Sequence, residues 1–218
     1  KNVNAASMSS LLKKKTGDRN QRIKPARRGS DPAIGLLFKC YPQKLEGLDR
    51  ESADYETQRL ICLRNHALLL TLYSTAGRAA EIAALDRHKV AEGNATRVEV
   101  FGKGKKKRDV ILTHEAQAAI RLYLTERGDK HAGVFVSHGP RGNGGQLTTQ
   151  SIWRIVHEAS VEVFGTNARG KPKKTFGAHA FRHQRAQDLA DEGMPMESIQ
   201  AYLGHESIET TRSTYAPK

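Results

Sequence analysis

A mainly α-helical fold with one small antiparallel β-sheet, an α+β arrangement, is what this sequence predicts. Three observations lead there. Most of the chain repeats its apolar residues at steps of three and four, the period of a helix face. Sustained alternation, the period of a strand, is confined to residues 96–113. Glycines and prolines fall between these stretches more than inside them, as turn residues do.

In order, residues 1–32 are polar and basic, include LLKKKTGDRNQRIKPARRGSDP, and show no apolar periodicity. They read as a flexible basic arm that settles on nucleic acid or stays a solvated tail. A folded unit is expected over 33–218. Ile34, Leu36, Leu37 and Phe38 suggest a short helix ended around Pro42. Residues 44–54 read as a turn. A strong helix follows from Tyr55 to Ser74, where Leu60, Leu63, Ala67, Leu68 and Leu70 nearly encircle the axis and so demand burial. Gly77 breaks it, and a second helix is expected over Arg78–Leu85.

Residues 96–113 read as a hairpin, with Val98 and Val100 on one arm and Val110 and Leu112 on the other. Its tip carries Lys103, Lys105, Lys106, Lys107 and Arg108, a cluster suited to gripping phosphates. An amphipathic helix is expected over His114–Gly128, with Ala116, Ala119, Ile120, Tyr123 and Leu124 inward. VFVS at 134–137 suggests a short strand. The glycine-rich HGPRGNGGQ after it is read as a loop, since no GK[ST] follows. Residues 148–164 suit a helix around Ile152, Ile155, Val156, Val161 and Val163, with Trp153 read as packing. The basic stretch 165–175, with Lys171, Lys173 and Lys174, reads as an open loop that contacts a backbone of phosphates.

The last stretch, GAHAFRHQRAQDLADEGMPMESIQAYLGHESIETTRSTY, holds the chemistry. His179 and Arg182 stand three apart, which puts both on one helix face. Phe181, Ala186, Leu189 and Ala190 supply the buried side, and Gly193 a stop. A helix from Pro195 with Ile199 and Leu203 inward is ended by Gly204, leaving His205 just past a helix terminus. Ser207 caps a third helix that ends near Tyr215. An arginine forks onto two phosphate oxygens, histidines donate or move protons, and an aimed tyrosine hydroxyl is a nucleophile. Together they describe attack on a phosphodiester, which calls for a second arginine and a proton donor. Arg78, with Glu81 three residues on to hold its orientation, and Lys103 answer both demands.

These motifs, G-x-R-x-x-E, then GKG-x-K-x-R between strands, then H-x-x-R-H, LGH and tyrosine, resemble in kind and order those of the tyrosine recombinases of the phage-integrase and Xer type. The resemblance covers roughly residues 57–216. It implies the catalytic-domain fold of that family and site-specific cleavage and rejoining of double-stranded DNA through a 3′-phosphotyrosyl link. It implies Arg78, Lys103, His179, Arg182, His205 and Tyr215 as catalytic residues, with Glu81 and His183 supporting them and Lys105 as a second choice for general acid. No metal and no cofactor are implied, because the covalent link conserves the bond energy. Partners implied are DNA and, during recombination, three further copies in a homo-tetramer, with a monomer open for this chain alone. Relatives carry a helical DNA-clamping domain ahead of the catalytic one, so residues 1–32 also fit the remnant of an interdomain linker. Lys1 in place of a Met suggests a fragment.

Composition agrees. Among 218 residues, 36 Lys and Arg exceed 23 Asp and Glu by 13, which favours a polyanionic partner. No run of apolar residues is long enough to span a bilayer, and no signal peptide is visible, so a cytoplasmic, nucleoid-associated protein is expected. Cys40 and Cys62 are too few for a disulfide framework or a zinc knuckle. A zinc site of His179, His183 and His205 is the weaker reading, because Arg182 beside it would repel the metal. The same residues also admit a type IB topoisomerase-like enzyme or a catalytically inactive DNA-binding module.

Overall fold

A computed structural model describes residues 31–91, 96–101, 107–138 and 144–204. In chain order these form α1 (Ile34–Glu46), α2 (Tyr55–Thr75), α3 (Ala79–Ala83), α4 (Arg87–Ala91), β1 (Arg97–Phe101), β2 (Lys107–Ile111), α5 (His114–Arg127), α6 (Thr149–Phe164), α7 (Ala178–Asp191) and α8 (Met196–Leu203). The mainly α reading with a small antiparallel sheet is what the chain adopts.

Helix α2 occupies the centre. Cys62, Leu63, Ala67, Leu68, Leu69 and Leu72 on it are all buried, and a helix apolar on so many sides needs cover from several directions. Helices α1, α5 and α7 supply it. Buried positions on α6, with Phe135 and Tyr123, extend the same apolar core. A second, smaller cluster joins Ala76, Ala186, Leu189, Ile199, Tyr202 and Leu203 where α7 and α8 meet the end of α2.

The hairpin pairs as expected. Strands β1 and β2 run antiparallel with Val98 opposite Val110 and Val100 opposite Arg108. Helices α5 and α6 begin at threonine caps, with Thr113 accepting from the Ala116 N–H and Thr148 from the Ser151 N–H. Cys40 and Cys62 are free and buried. Among the described residues no helix is long and apolar enough to cross a membrane.

Four local expectations need correction. Helix α1 runs through Pro42 to Glu46, so residues 44–46 are helical and not part of the turn. Pro42 leaves the Phe38 carbonyl without its usual helical donor. Among the described residues, 134–137 form no strand ladder but two isolated bridges, Asp86–Gly133 beside them and Val136–Gln146 within them. Arginine side chains take some of the carbonyls here, Arg127 those of Gly133 and Val134 and Arg64 that of Val136, while the Leu147 N–H donates to that of Phe135. The apolar run reflects burial, with single backbone bonds to Leu85, Gly145 and Leu147 that do not extend into a ladder. Helix α3 is shorter than expected, ending at Ala83, with Arg78 as its cap and not its first residue. Trp153 is 55% exposed, stacked on His157 one turn along α6; its position faces away from Ile152, Ile155 and Val156.

Leu68 is fully buried at the centre of α2. Leu68→Ala is expected to cost about 2–5 kcal/mol, read as a fall in the urea midpoint at unchanged slope.

Candidate active site

The site begins where α2 ends. Ala76 caps that helix in the left-handed region, φ 47°, a conformation costing an alanine about 1–2 kcal/mol. Gly77 follows, and a Cβ there would lie 2.6 Å from Ile82 Cδ1 and 2.9 Å from Thr75 Oγ1, so the turn closes only without a side chain. This tight exit delivers Arg78 in extended conformation at the start of α3.

Glu81 turns back onto it. One oxygen of its buried carboxylate accepts from Arg78 Nη1 at 2.9 Å, and the other from the Arg78 backbone N–H at 2.8 Å, the reciprocal half of a capping box. A second guanidinium, from Arg108 on β2, donates to the same Oε2 at 2.6 Å. Burial opposes the charge on Glu81, but the Arg78 backbone N–H and the two guanidiniums outweigh it and hold the carboxyl below its ordinary value.

Helix α8 forms the opposite wall. It ends at Gly204, which is left-handed at φ 64°. Its last carbonyls lack helical donors and carry the negative end of the helix dipole. Arginines from three separate elements meet them. Arg108 Nη1 donates to the Tyr202 carbonyl, Arg182 Nη2 to that of Leu203, and Arg78 Nη2 lies 3.5 Å from that of Gly204. Arg182 is only 1% exposed, and its Nη1 also donates to the Ala76 carbonyl at 2.8 Å, so the strained turn at Ala76 aims its oxygen at this guanidinium. Arg78 keeps a side chain 41% exposed. The result is three cations held mostly by neutral acceptors, with Glu81 the carboxylate that pairs with two of them.

Arg78, Glu81 and Arg182 are therefore brought together. His179 lies in the first turn of α7, exposed, its ring edge-to-face with that of His183 at 4.6 Å between centroids. Arg182, expected on the same face, is instead drawn inward, because its acceptors lie beneath the helix. Lys103, Lys105, Lys106, His205, Tyr215 and the third helix from Ser207 lie outside the described residues. Lys107 is exposed and pairs with Glu99 at 3.2 Å. On the 165–175 loop Lys171 and Lys173 are exposed, while Lys174 pairs with Asp31 at 2.6 Å and lies over the Phe176 ring.

Arg108, expected among the hairpin-tip cations, turns its side chain inward and is 12% exposed. The signal for this lies in the alternation: residues 108 and 110 share a strand face, and Val110 is buried. Tyr202 is buried. Its hydroxyl donates to the Ser74 carbonyl, and burial raises its pKa despite the opposing pull of Arg185.

The phage integrase family model matches residues 52–218. The chain belongs to the phage integrase family. Within it, similar proteins include the tyrosine recombinases XerD of Bradyrhizobium diazoefficiens, 35% identical over 216 residues, and XerD of Pseudomonas aeruginosa, 34% identical over 195. These matches cover 88% and 84% of this chain but 64% and 61% of the relatives, so the chain spans about three fifths of their length. The fold also matches the XerH site-specific recombinase bound to its difH substrate (TM-score 0.65, 21% identity, 87% of this chain and 50% of that one). The XerA recombinase matches at TM-score 0.59 and 26% identity, over 78% of this chain and 61% of that one. The expected catalytic-domain fold of the tyrosine recombinases is the one present.

Because the Glu81 carboxyl is held low, its contribution to stability is complete above the ordinary glutamate value, near pH 4.3, and is lost as pH falls through its lower folded value. Glu81→Gln should therefore lower the urea midpoint at pH 7, and the gap from the unaltered protein should narrow in the acid range below about pH 4.

Proposed function

We propose that this chain is the catalytic domain of a site-specific DNA recombinase or integrase that cleaves and rejoins strands through a tyrosine. The observation that carries the reading is the convergence of Arg78 and Arg182, from opposite sides, on the turn that runs straight into His205. Neutral carbonyls hold Arg182 without cancelling its charge, and Arg78, though paired with Glu81, keeps a partly exposed guanidinium, which together support a positive seat for an anion. Family membership and the named XerD relatives support the same reading.

In this mechanism Arg78 and Arg182 take the non-bridging oxygens of the scissile phosphate, with His179 and His205 adding hydrogen bonds. The Tyr215 hydroxyl attacks phosphorus and gives up its proton, to His179 in this reading. The bond to the 5′ oxygen breaks, and Lys103, or Lys105 in its place, protonates that oxygen as it leaves. The product is a 3′-phosphotyrosyl link and a free 5′ hydroxyl. A hydroxyl from another strand reverses the sequence and completes exchange. Glu81 holds Arg78 in orientation, and His183 supports His179 along α7. Lys105, Lys106, Lys107, Lys171, Lys173 and Lys174 contact the DNA backbone, a duty for which Lys174 would release Asp31. Double-stranded DNA is the partner, recombination proceeds in a homo-tetramer, and the protein works at the nucleoid.

A pool of nicked suicide duplexes drawn from DNA flanking the gene tests this, since the fragment released on cleavage diffuses away and traps the adduct. The full-length protein should give a covalent protein–DNA band on a denaturing gel, mapped to Tyr215. The band should vanish in Tyr215→Phe and fall at least about 100-fold in Arg182→Ala. An undiminished band in Tyr215→Phe would move the nucleophile elsewhere.

A further inference from the structure

We infer that Arg108 is a positioning residue for catalysis: it locks Glu81, and through Glu81 the guanidinium of Arg78, onto the last turn of α8. The inference rests on the transesterification reading above. It departs from the duty that the hairpin's charge suggests, which is to grip phosphates from the tip.

The geometry separates Arg108 from its neighbour. Lys107 extends from the exposed face of β2, with a side chain 63% exposed. Arg108 stands on the opposite face, across from Val100 in the ladder, and crosses beneath the site. Its fork makes two different bonds at once, Nη2 to the Glu81 carboxylate and Nη1 to the Tyr202 carbonyl. That pairing suits a planar guanidinium, and a single ammonium would not span it in the same way. The backbone of α8 is shaped to receive it. A Cβ on Gly204 would fall 2.7 Å from Arg108 Cδ and 3.1 Å from its Nε, so this helix end is bare where the arginine lies across it.

The consequence for Arg78 follows from counting acceptors. Glu81 Oε2 is shared by the Arg78 backbone N–H and by Arg108, while Oε1 holds Arg78 Nη1. With Arg108 in place the carboxylate is pinned from two sides, and the Arg78 side chain is oriented by a group that cannot turn. Without it, Glu81 keeps Arg78 alone as its ion-pair partner, and the Tyr202 carbonyl loses its donor. Arg108 also ties β2, the arm that follows the Lys103 tip in sequence, to the helix that precedes His205. It thereby couples the groups proposed to serve the leaving oxygen and the phosphate.

The test compares Arg108→Met, Arg108→Lys, Glu81→Gln and the double variant Glu81→Gln with Arg108→Met in the full-length protein. Two quantities are read: single-turnover adduct formation on the suicide duplex at saturating protein, and the salt dependence of binding to a short random-sequence duplex. Positioning predicts that Arg108→Met slows adduct formation about 10- to 100-fold, with binding and its salt slope unchanged. Arg108→Lys should recover only part of the rate. The double variant should be little slower than Glu81→Gln alone, because both act through one linkage. Should Arg108→Met fail to fold, the double variant removes the buried carboxylate that has lost one of its two guanidiniums, and its rate against Glu81→Gln still decides. A salt slope lower by about one, with the rate at saturation intact, marks a phosphate contact and overturns the inference. Fully multiplicative losses in the double variant overturn it as well. If the unaltered protein forms no Tyr215 adduct, the recombinase reading fails, and the salt slope of Arg108→Met still judges the Arg108 placement.

Discussion

The unpaired carbonyls at the end of α8 are the constraint around which the site is arranged. A helix of eight residues ends with oxygens that its own backbone cannot satisfy. Here they are satisfied by Arg108, Arg182 and Arg78, which arrive from the hairpin, from α7 and from the exit of α2. Each of these parts therefore has its position set by the same short turn. The same kind of bond closes another irregular segment of the fold, where Arg64 and Arg127 donate to the carbonyls of Gly133, Val134 and Val136.

The choice of acceptor matters for electrostatics. A buried guanidinium paired with a carboxylate is stable but neutralised, and an arriving phosphate must break that pair. A guanidinium donating to carbonyls has its N–H groups satisfied and keeps its charge. Arg182 is the extreme case, almost fully buried with its two terminal nitrogens on backbone oxygens. Among these contacts Glu81 is the carboxylate that subtracts charge, and it pairs with both Arg78 and Arg108, while Arg182 donates to backbone carbonyls. In the proposed mechanism this arrangement is set before the phosphate arrives.

Much of this is legible in the residues. The all-round apolar pattern of Tyr55–Ser74 marks the central helix, alternation at 98, 100 and 110 marks the hairpin, and the order of short motifs marks the family. Arg78, Glu81 and Arg182 stand out for their chemistry, and the structure brings them into one neighbourhood. What the residues do not reveal depends on tertiary partners. Pro42 sits inside a helix whose Ile34, Leu37, Cys40 and Tyr41 are packed into the core, and that burial holds the helix through it. The 134–137 run forms no ladder, because its backbone bonds are divided among Leu85, Gly145, Leu147 and the side chains of Arg64 and Arg127. The charge around Arg108 suggests a surface role, while its place in the alternation points inward. Ala76 carries no sign of its left-handed turn, since alanine has no preference for one.

The two apolar clusters have a mechanical consequence. Helix α8 rests on the smaller one, with Ile199, Tyr202 and Leu203 against Ala76, Ala186 and Leu189, while the central helix and the hairpin valines belong to the larger. The arginines bridge the seam between them. Regions with fewer buried contacts open and shift at lower cost than the main core. Among the described elements, the separate packing of α8 favours its tilting as a unit. Such a tilt would carry three guanidinium seats and the chain leading to residue 205 together, so the site would loosen or tighten as one piece while the central scaffold stays still.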